Sequence, residues 1–292
     1  MDFLQNTQYN GAILKRRMET VMRQLCLGTH KDFERPVPEQ IRLIGQAGFD
    51  GFFTAWDGDL MEYRRTADRE GLFYQSVHAP YHGTGAMWRP GEEGEAALEQ
   101  LLGCLRDCSE AEVPVMVSHT YYGDLTKARP NRLGMDRYGF LTEQAKGLGV
   151  KLAFENTEAE DCLRALLEAF PGKQVGFCWD SGHEQCYSRG KDLLKCFGNR
   201  LIATHLNDNL GARHADFITP RDDLHLLPYD GIIDWTQAMD KLRSHGYSGP
   251  LTFELKTHSK PNQHENDPYR AISLEDYLRE AFTRAIRVSQ CL

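Results

Sequence analysis

Eight short apolar runs, each followed by a stretch with the 3.6-residue rhythm of an amphipathic helix, succeed one another from residue 23 onwards. This alternation limits the fold more than any other feature. The runs are 23–28 (RQLCLG), 51–55 (GFFTA), 72–79 (LFYQSVHA), 113–119 (VPVMVSH), 151–156 (KLAFEN), 175–180 (VGFCWD), 201–207 (LIATHLN) and 251–255 (LTFEL). Strands buried on both faces read as near-continuous apolar segments of this kind. Helices are expected over 37–47, starting near a proline and stopping at Gly48, and then over about 58–70, 92–108, 132–148, 158–170, 190–197, 233–245 and 274–289. In a chain of 292 residues the pattern predicts an α/β protein, a single closed parallel (β/α)8 barrel over 23–292. Residues 1–22 are expected to be a short extension, partly helical from about 12 to 22.

A barrel of this type keeps its chemistry at the C-terminal ends of its strands. The stretch VGFCWDSGHEQCY (175–187) passes from an apolar strand to Asp180 and His183, with the strand unwinding into a loop between them. The run 151–156 closes on Glu155, 201–207 presents His205, and 251–255 carries Glu254. Any one of these is commonly a cap or a surface residue. Together they bring three carboxylates and an imidazole to one mouth, a donor set that suits a divalent cation. His78 and His119 end two further runs and add neutral imidazoles there.

The formal net charge of -8 argues against a protein that holds long nucleic acid by its phosphates. No apolar run approaches the length that crosses a bilayer, and residues 1–17 lack the features of a secretory signal, so a cytoplasmic protein is expected. The 8 cysteines include no CxxC pair and are expected to be reduced and mostly buried. Nothing in the residues speaks to oligomeric state.

Six segments resemble the xylose isomerase-like TIM-barrel superfamily, in its sugar phosphate isomerase/epimerase branch. They are QAGFDGF (46–52), VHAPYH (77–82), FEN (154–156), CWDSGH (178–183), HLNDN (205–209) and DLHLLPYDGIIDW (223–235). The resemblance implies that Glu155, Asp180, His205 and Glu254 hold one divalent ion: manganese, zinc, magnesium or cobalt. It also implies that Glu155 and Glu254 act as the acid/base pair. The expected activity is isomerisation or epimerisation of a sugar or sugar phosphate by proton transfer through a metal-stabilised enediolate. An inosose-type dehydratase would begin with the same proton abstraction. The superfamily also includes endonuclease IV, whose trinuclear zinc site follows the order seen here in His78, His119, Glu155, Asp180, His183, His205, Asp223, His225 and Glu254. A phosphodiester hydrolase with more than one zinc is therefore the alternative.

Around this set, His183 reads either as a substrate contact or as the partner that fixes Asp180. Asp223 and His225 position a substrate end, anchor the seventh loop or bind further metal. His78 and His119 are expected to hydrogen-bond the substrate, ahead of binding extra metal or serving as structural histidines. Trp88, Tyr81, Tyr121 and Tyr122 offer an apolar wall or loop packing, and Arg213 and Arg221 read either as cations for a phosphate or carboxylate or as solvated loop charges. Lys256, just past Glu254, reads as a helix-facing or exposed side chain ahead of a further polar contact at the site, and Asp234 as a helix cap.

Overall fold

The computed structural model describes residues 23–214 and 216–292, so the helical segment expected within 12–22 lies outside the described residues. Eight strands are present: β1 (Leu25–Gly28), β2 (Gly51–Ala55), β3 (Phe73–His78), β4 (Val115–His119), β5 (Lys151–Glu155), β6 (Val175–Asp180), β7 (Leu201–His205) and β8 (Leu251–Phe253). The helices that follow them in turn are α1 (Val37–Ala47), α2 (Leu60–Glu70), α3 (Glu92–Glu110), α4 (Arg132–Leu148), α5 (Glu160–Ala169), α6 (Leu193–Phe197), α7 (Trp235–Ser244) and α8 (Leu274–Ser289). The strands pair in parallel in the order β7-β6-β5-β4-β3-β2-β1-β8. The ring closes through a parallel bridge between Leu206 and Phe253, supported by the Leu206 amide donating to the Thr252 carbonyl at 2.8 Å. The protein is a TIM barrel.

Capping sets most helix boundaries. Asp59, Asn131, Asp192, Asp234 and Ser273 each accept a backbone N–H of the first turn with their side chains, and Gly48, Gly71 and Gly149 end helices in the left-handed region. The Asp234 cap starts α7 at Trp235 rather than Ile233, and Asp192 starts α6 three residues later than the apolar pattern implies. The descent from β6 also differs from expectation. Instead of a loop, Ser181–Cys186 forms a short helix whose N-cap is Asp180 itself, the Asp180 carboxylate accepting the His183 amide at 2.7 Å.

Strand periodicity of two builds the interior in layers. Val117, Ala153, Cys178 and Ala203 belong to an apolar cluster separate from the main core between strands and helices. Two residues further along the same strands, on the same face, stand His119, Glu155, Asp180 and His205. Small and medium side chains thus floor the barrel beneath a polar layer at its C-terminal mouth. All eight cysteines are free, six of them buried. Among the described residues no helix is long and apolar enough to cross a membrane.

Candidate metal centre and active site

Strand stagger decides which side chains meet. In the parallel ladder His119 pairs with Glu155, Glu155 with Cys178, and Asp180 with His205, so Asp180 sits one layer above its neighbour on β5. Glu254 follows the last residue of β8, its amide bonded to the Leu206 carbonyl at the closing seam. The ligand atoms of Glu155, Asp180, His205 and Glu254 all lie within 4.8 Å of one another. His205 Nδ1 is 2.7 Å from Glu155 Oε1 and 3.1 Å from Glu254 Oε2, and the other Glu155 oxygen meets His78 Nε2 at 3.3 Å and His119 Nε2 at 3.2 Å.

Glu155, Asp180 and His205 are fully buried, and Glu254 opens slightly to the mouth. Among the described residues no lysine or arginine forms an ion pair with the three carboxylates of this set. Burying several carboxylates without a fixed cation is costly unless something positive compensates them. The donor set therefore fits a divalent ion, three oxygens-bearing groups and one imidazole being an ordinary mixed shell for such ions.

A second group adjoins the first. His183 places Nε2 3.5 Å from Asp223 and Nδ1 3.0 Å from the Asn156 carbonyl, and His225 Nε2 lies 2.9 Å from Asp223 Oδ1. Two ammonium groups approach the same carboxylate, Lys256 at 3.6 Å and Lys260 at 3.7 Å from Oδ2. The loop carrying them is tied down by Asn266, whose side-chain amide donates to the Leu224 and Lys256 carbonyls, and by the Lys256 amide donating to His225.

Electrostatics follow from these contacts. Burial would raise the Glu155 carboxyl, but His205, with hydrogen bonds from His119, His205 and His78, outweighs it and holds the group well below the usual range. Burial is likewise outweighed at Glu254, by His225 and His205. Asp180 is pushed up to about 6 by burial, His183 opposing and Glu155 adding to the rise. Burial works against a charged His205, yet Cys178 and the carboxylates of Glu155 and Glu254 raise it well above the ordinary imidazole value. Since burial pushes the Cys178 thiol itself up to about 12, the carboxylates are the charges responsible. His119 is lowered to about 4 by burial and so remains a neutral donor to Glu155.

Several expectations are corrected. Trp88 does not wall the mouth: it is 2% exposed, its indole N–H donates to the Thr120 carbonyl at 2.8 Å, and its ring packs on Tyr138. Tyr121 is also buried, its hydroxyl donating to the Asp124 carbonyl. Tyr81 and Tyr122 are the aromatic pair beside the site, Tyr81 stacking on His119 with ring centroids 4.9 Å apart. Arg213 pairs with Asp222 and Glu265, and Arg221 donates to the Pro261 carbonyl, so neither is a free cation at the centre. Lys256 faces the site rather than a helix or solvent.

Residues outside the donor set also matter. Asn156 accepts the Asp180 amide at 2.7 Å and donates to its carbonyl at 2.9 Å, and Asn207 Nδ2 donates to Asp180 Oδ2 at 2.9 Å. Asp208 gathers the Tyr229 and Ile233 amides and the Trp235 indole, fixing the seventh loop. Beyond His183, whose ring meets that of Tyr187 at 4.9 Å, a cavity of about 680 Å³ is lined by Glu158, Tyr187, Arg189 and Phe217. The FEN and HLNDN segments held the asparagines in plain view, but their partners are 24 and 27 residues away.

Gly182 is tied to this positioning network. A Cβ there would come within 1.9 Å of Asn207 Oδ1. Asn207 cannot swing aside without releasing Asp180, because its amide and carbonyl are both engaged with Ser181. Gly182→Ala is therefore expected to weaken divalent-metal binding about 10- to 100-fold, the range typical for loss of a ligand's supporting hydrogen bond. Calorimetric titration checks it; unchanged affinity would remove Asn207 from the support of Asp180.

Comparison with known proteins shows the family and the fold. A family model described as "Xylose isomerase-like TIM barrel" matches residues 41–281. The protein y4fM of Sinorhizobium fredii is 34% identical over 125 residues, 41% of this chain and 37% of that one. The chain spans between about one third and two thirds of the length of the curated relatives it matches. Solved structures that share the fold include two with related descriptions. A D-tagatose 3-epimerase-like protein has a TM-score of 0.65 at 20% identity, over 88% of this chain and 98% of its own. An IOLI protein with a bound zinc atom has a TM-score of 0.73 at 16% identity, over 91% and 98%.

Proposed function

This chain belongs to the xylose isomerase-like TIM-barrel family, and from that premise we propose that it is a divalent-metal-dependent isomerase or epimerase acting on a small sugar. The observation that carries the reading is the convergence of Glu155, Asp180, His205 and Glu254 within 4.8 Å at the barrel mouth. The epimerase-like and zinc-binding barrels of the same fold give the substrate class and the metal their support.

Glu155, Asp180, His205 and Glu254 would hold the ion, which when bound supplies Lewis acidity toward the oxygens of a hydroxy-carbonyl substrate and makes the adjacent C–H acidic. The protein's own residues move the proton. Glu155 and Glu254 stand on either side of His205 Nδ1, at 2.7 and 3.1 Å, so one can take a proton from carbon and the other return it. His78 and His119 orient Glu155 through its second oxygen. His183, held by the Asn156 carbonyl, directs Nε2 toward Asp223 and positions a substrate hydroxyl. Tyr81 and Tyr122 form an apolar edge beside the site.

A second reading, a multi-zinc phosphodiester hydrolase, draws on two donor groups that flank the first, His78–His119–Glu155 and His183–Asp223–His225. The ammonium groups of Lys256 and Lys260 weigh against it, because they supply at Asp223 the positive charge that another cation would bring. Incubating the metal-loaded protein with a panel of ketoses in deuterium oxide tests the leading reading. Deuterium enters at the carbon next to the carbonyl, and elemental analysis gives one ion per chain. Three zinc ions with cleavage of abasic duplex DNA and no deuterium uptake would overturn it.

A further inference from the structure

The corner formed by Asp223, Lys256 and Lys260 is charged in a way that the reaction proposed above does not use. We propose that Lys256 and Lys260 form a clamp for a phosphate monoester on the substrate. The inference rests on that reading for the reacting end of the substrate and extends it to the other end.

Each ammonium carries three N–H donors, six in all. Their shared ionic partner, Asp223 Oδ2, is 3.6 Å from Lys256 and 3.7 Å from Lys260, longer than a direct hydrogen bond, and the same carboxylate already contacts His225 at 2.9 Å and 3.0 Å. Neither ammonium is within hydrogen-bond distance of that carboxylate, which is already engaged by the His225 imidazole, so N–H donors on both lysines remain unspent.

Both lysines are well covered, with side-chain exposures of 18% and 27%, which is unusual for a residue type that normally keeps its charge in water. Nor is the arrangement an accident of a floppy loop. The Lys256 carbonyl accepts from Asn266, the Lys256 amide donates to His225, the Lys260 carbonyl accepts the Gln263 amide, and Ser259 is bonded to Asp267 and to the Asn266 amide. A fixed backbone delivering two half-buried ammonium groups to one side of a reaction centre is a preorganised anion site.

Charge selects the anion. A phosphate monoester carries about -1.5 to -2 at pH 7 and three acceptor oxygens, so it can engage both ammoniums at once, whereas a carboxylate offers one charge and two oxygens. Lysine binds phosphate as a point charge without the planar fork that favours carboxylates with arginine.

The experiment is calorimetric binding to the metal-loaded full chain, using inorganic phosphate, a ketose, its terminal phosphate ester and the corresponding uronate. The ester is expected to bind at least 10-fold more tightly than the free ketose. Lys260→Met is expected to remove about 10- to 100-fold of affinity for the ester and to collapse the preference, with Lys260→Arg restoring most of it and metal content unchanged in both. Lys256→Met is the second variant. The wild-type ester-to-ketose ratio stands even if a variant does not fold, and equal binding of ester and ketose would overturn the clamp. So would a preference that survives in both Met variants, or tighter binding of the uronate than of the ester. Because binding needs no turnover, the two readings fail separately. Deuterium exchange from free ketoses with no ester preference sinks the clamp alone, and an intact lysine-dependent ester preference with no exchange sinks the isomerase alone.

Discussion

Glu155→Gln and Glu254→Gln each lower turnover by about 10²- to 10⁴-fold, the contribution of a positioned acid or base, and the two losses do not add. The substitutions keep shape and volume but replace a proton-accepting oxygen with an amide that cannot take a proton at neutral pH. At Glu155 the consequences are wider, because one carboxylate serves His205 through Oε1 and both His78 and His119 through Oε2. An amide nitrogen at either position meets a ring nitrogen that now donates, and one contact becomes repulsive. Metal affinity falls with turnover in Glu155→Gln. Glu254 is partly open to the mouth, so its variant retains more metal while losing as much turnover. Rates of deuterium exchange, measured beside metal content, separate the two effects. Normal exchange in either variant would remove that glutamate from the proton transfer.

Stripping the ion with a chelator is the second large effect: turnover disappears, the melting temperature drops, and adding manganese or zinc back restores both. At a hundredfold excess over its Kd, a ligand that binds only the folded state stabilises it by about 2.7 kcal/mol, which for a chain of this size corresponds to a shift on the order of 5 °C or more. The pH dependence follows from His205. In the metal-free site the neighbouring carboxylates raise its imidazole well above the ordinary value, so its proton is retained through the neutral range. Nδ1 cannot hold a proton and a metal together. Each ion bound therefore releases about one proton, and affinity falls about tenfold per unit as pH drops below the raised value. Titrations in two buffers of different ionisation heat give the proton count directly. An affinity independent of pH between 6 and 8 would show that His205 is not a ligand.

The two effects share a cause, the burial of three carboxylates to which no lysine or arginine is paired among the described residues. Glu155 and Asp180 lie on neighbouring strands, and Glu254 arrives from across the closing seam between β7 and β8. Histidines and, at Asp223, lysines provide the only nearby positive groups among the described residues.

By itself the sequence determined the eight strands, the barrel and the four converging donors. Each of these has a local signature: a buried strand is an unbroken apolar run, and a residue at its C-terminal end must face the mouth once the strand closes into a ring. Helix ends were legible wherever a cap is written in one or two residues, as at Gly48 and Asp234. Only the tertiary structure decided that Trp88 is interior packing, that Asn156 and Asn207 fix Asp180, and that Lys256 and Lys260 converge on Asp223. Those outcomes depend on contacts between residues 24 to 37 positions apart, or 32 for Trp88 and Thr120. The stagger of the strands and the course of the loops set such contacts, and neither leaves a trace in the spacing of apolar and polar residues along the chain.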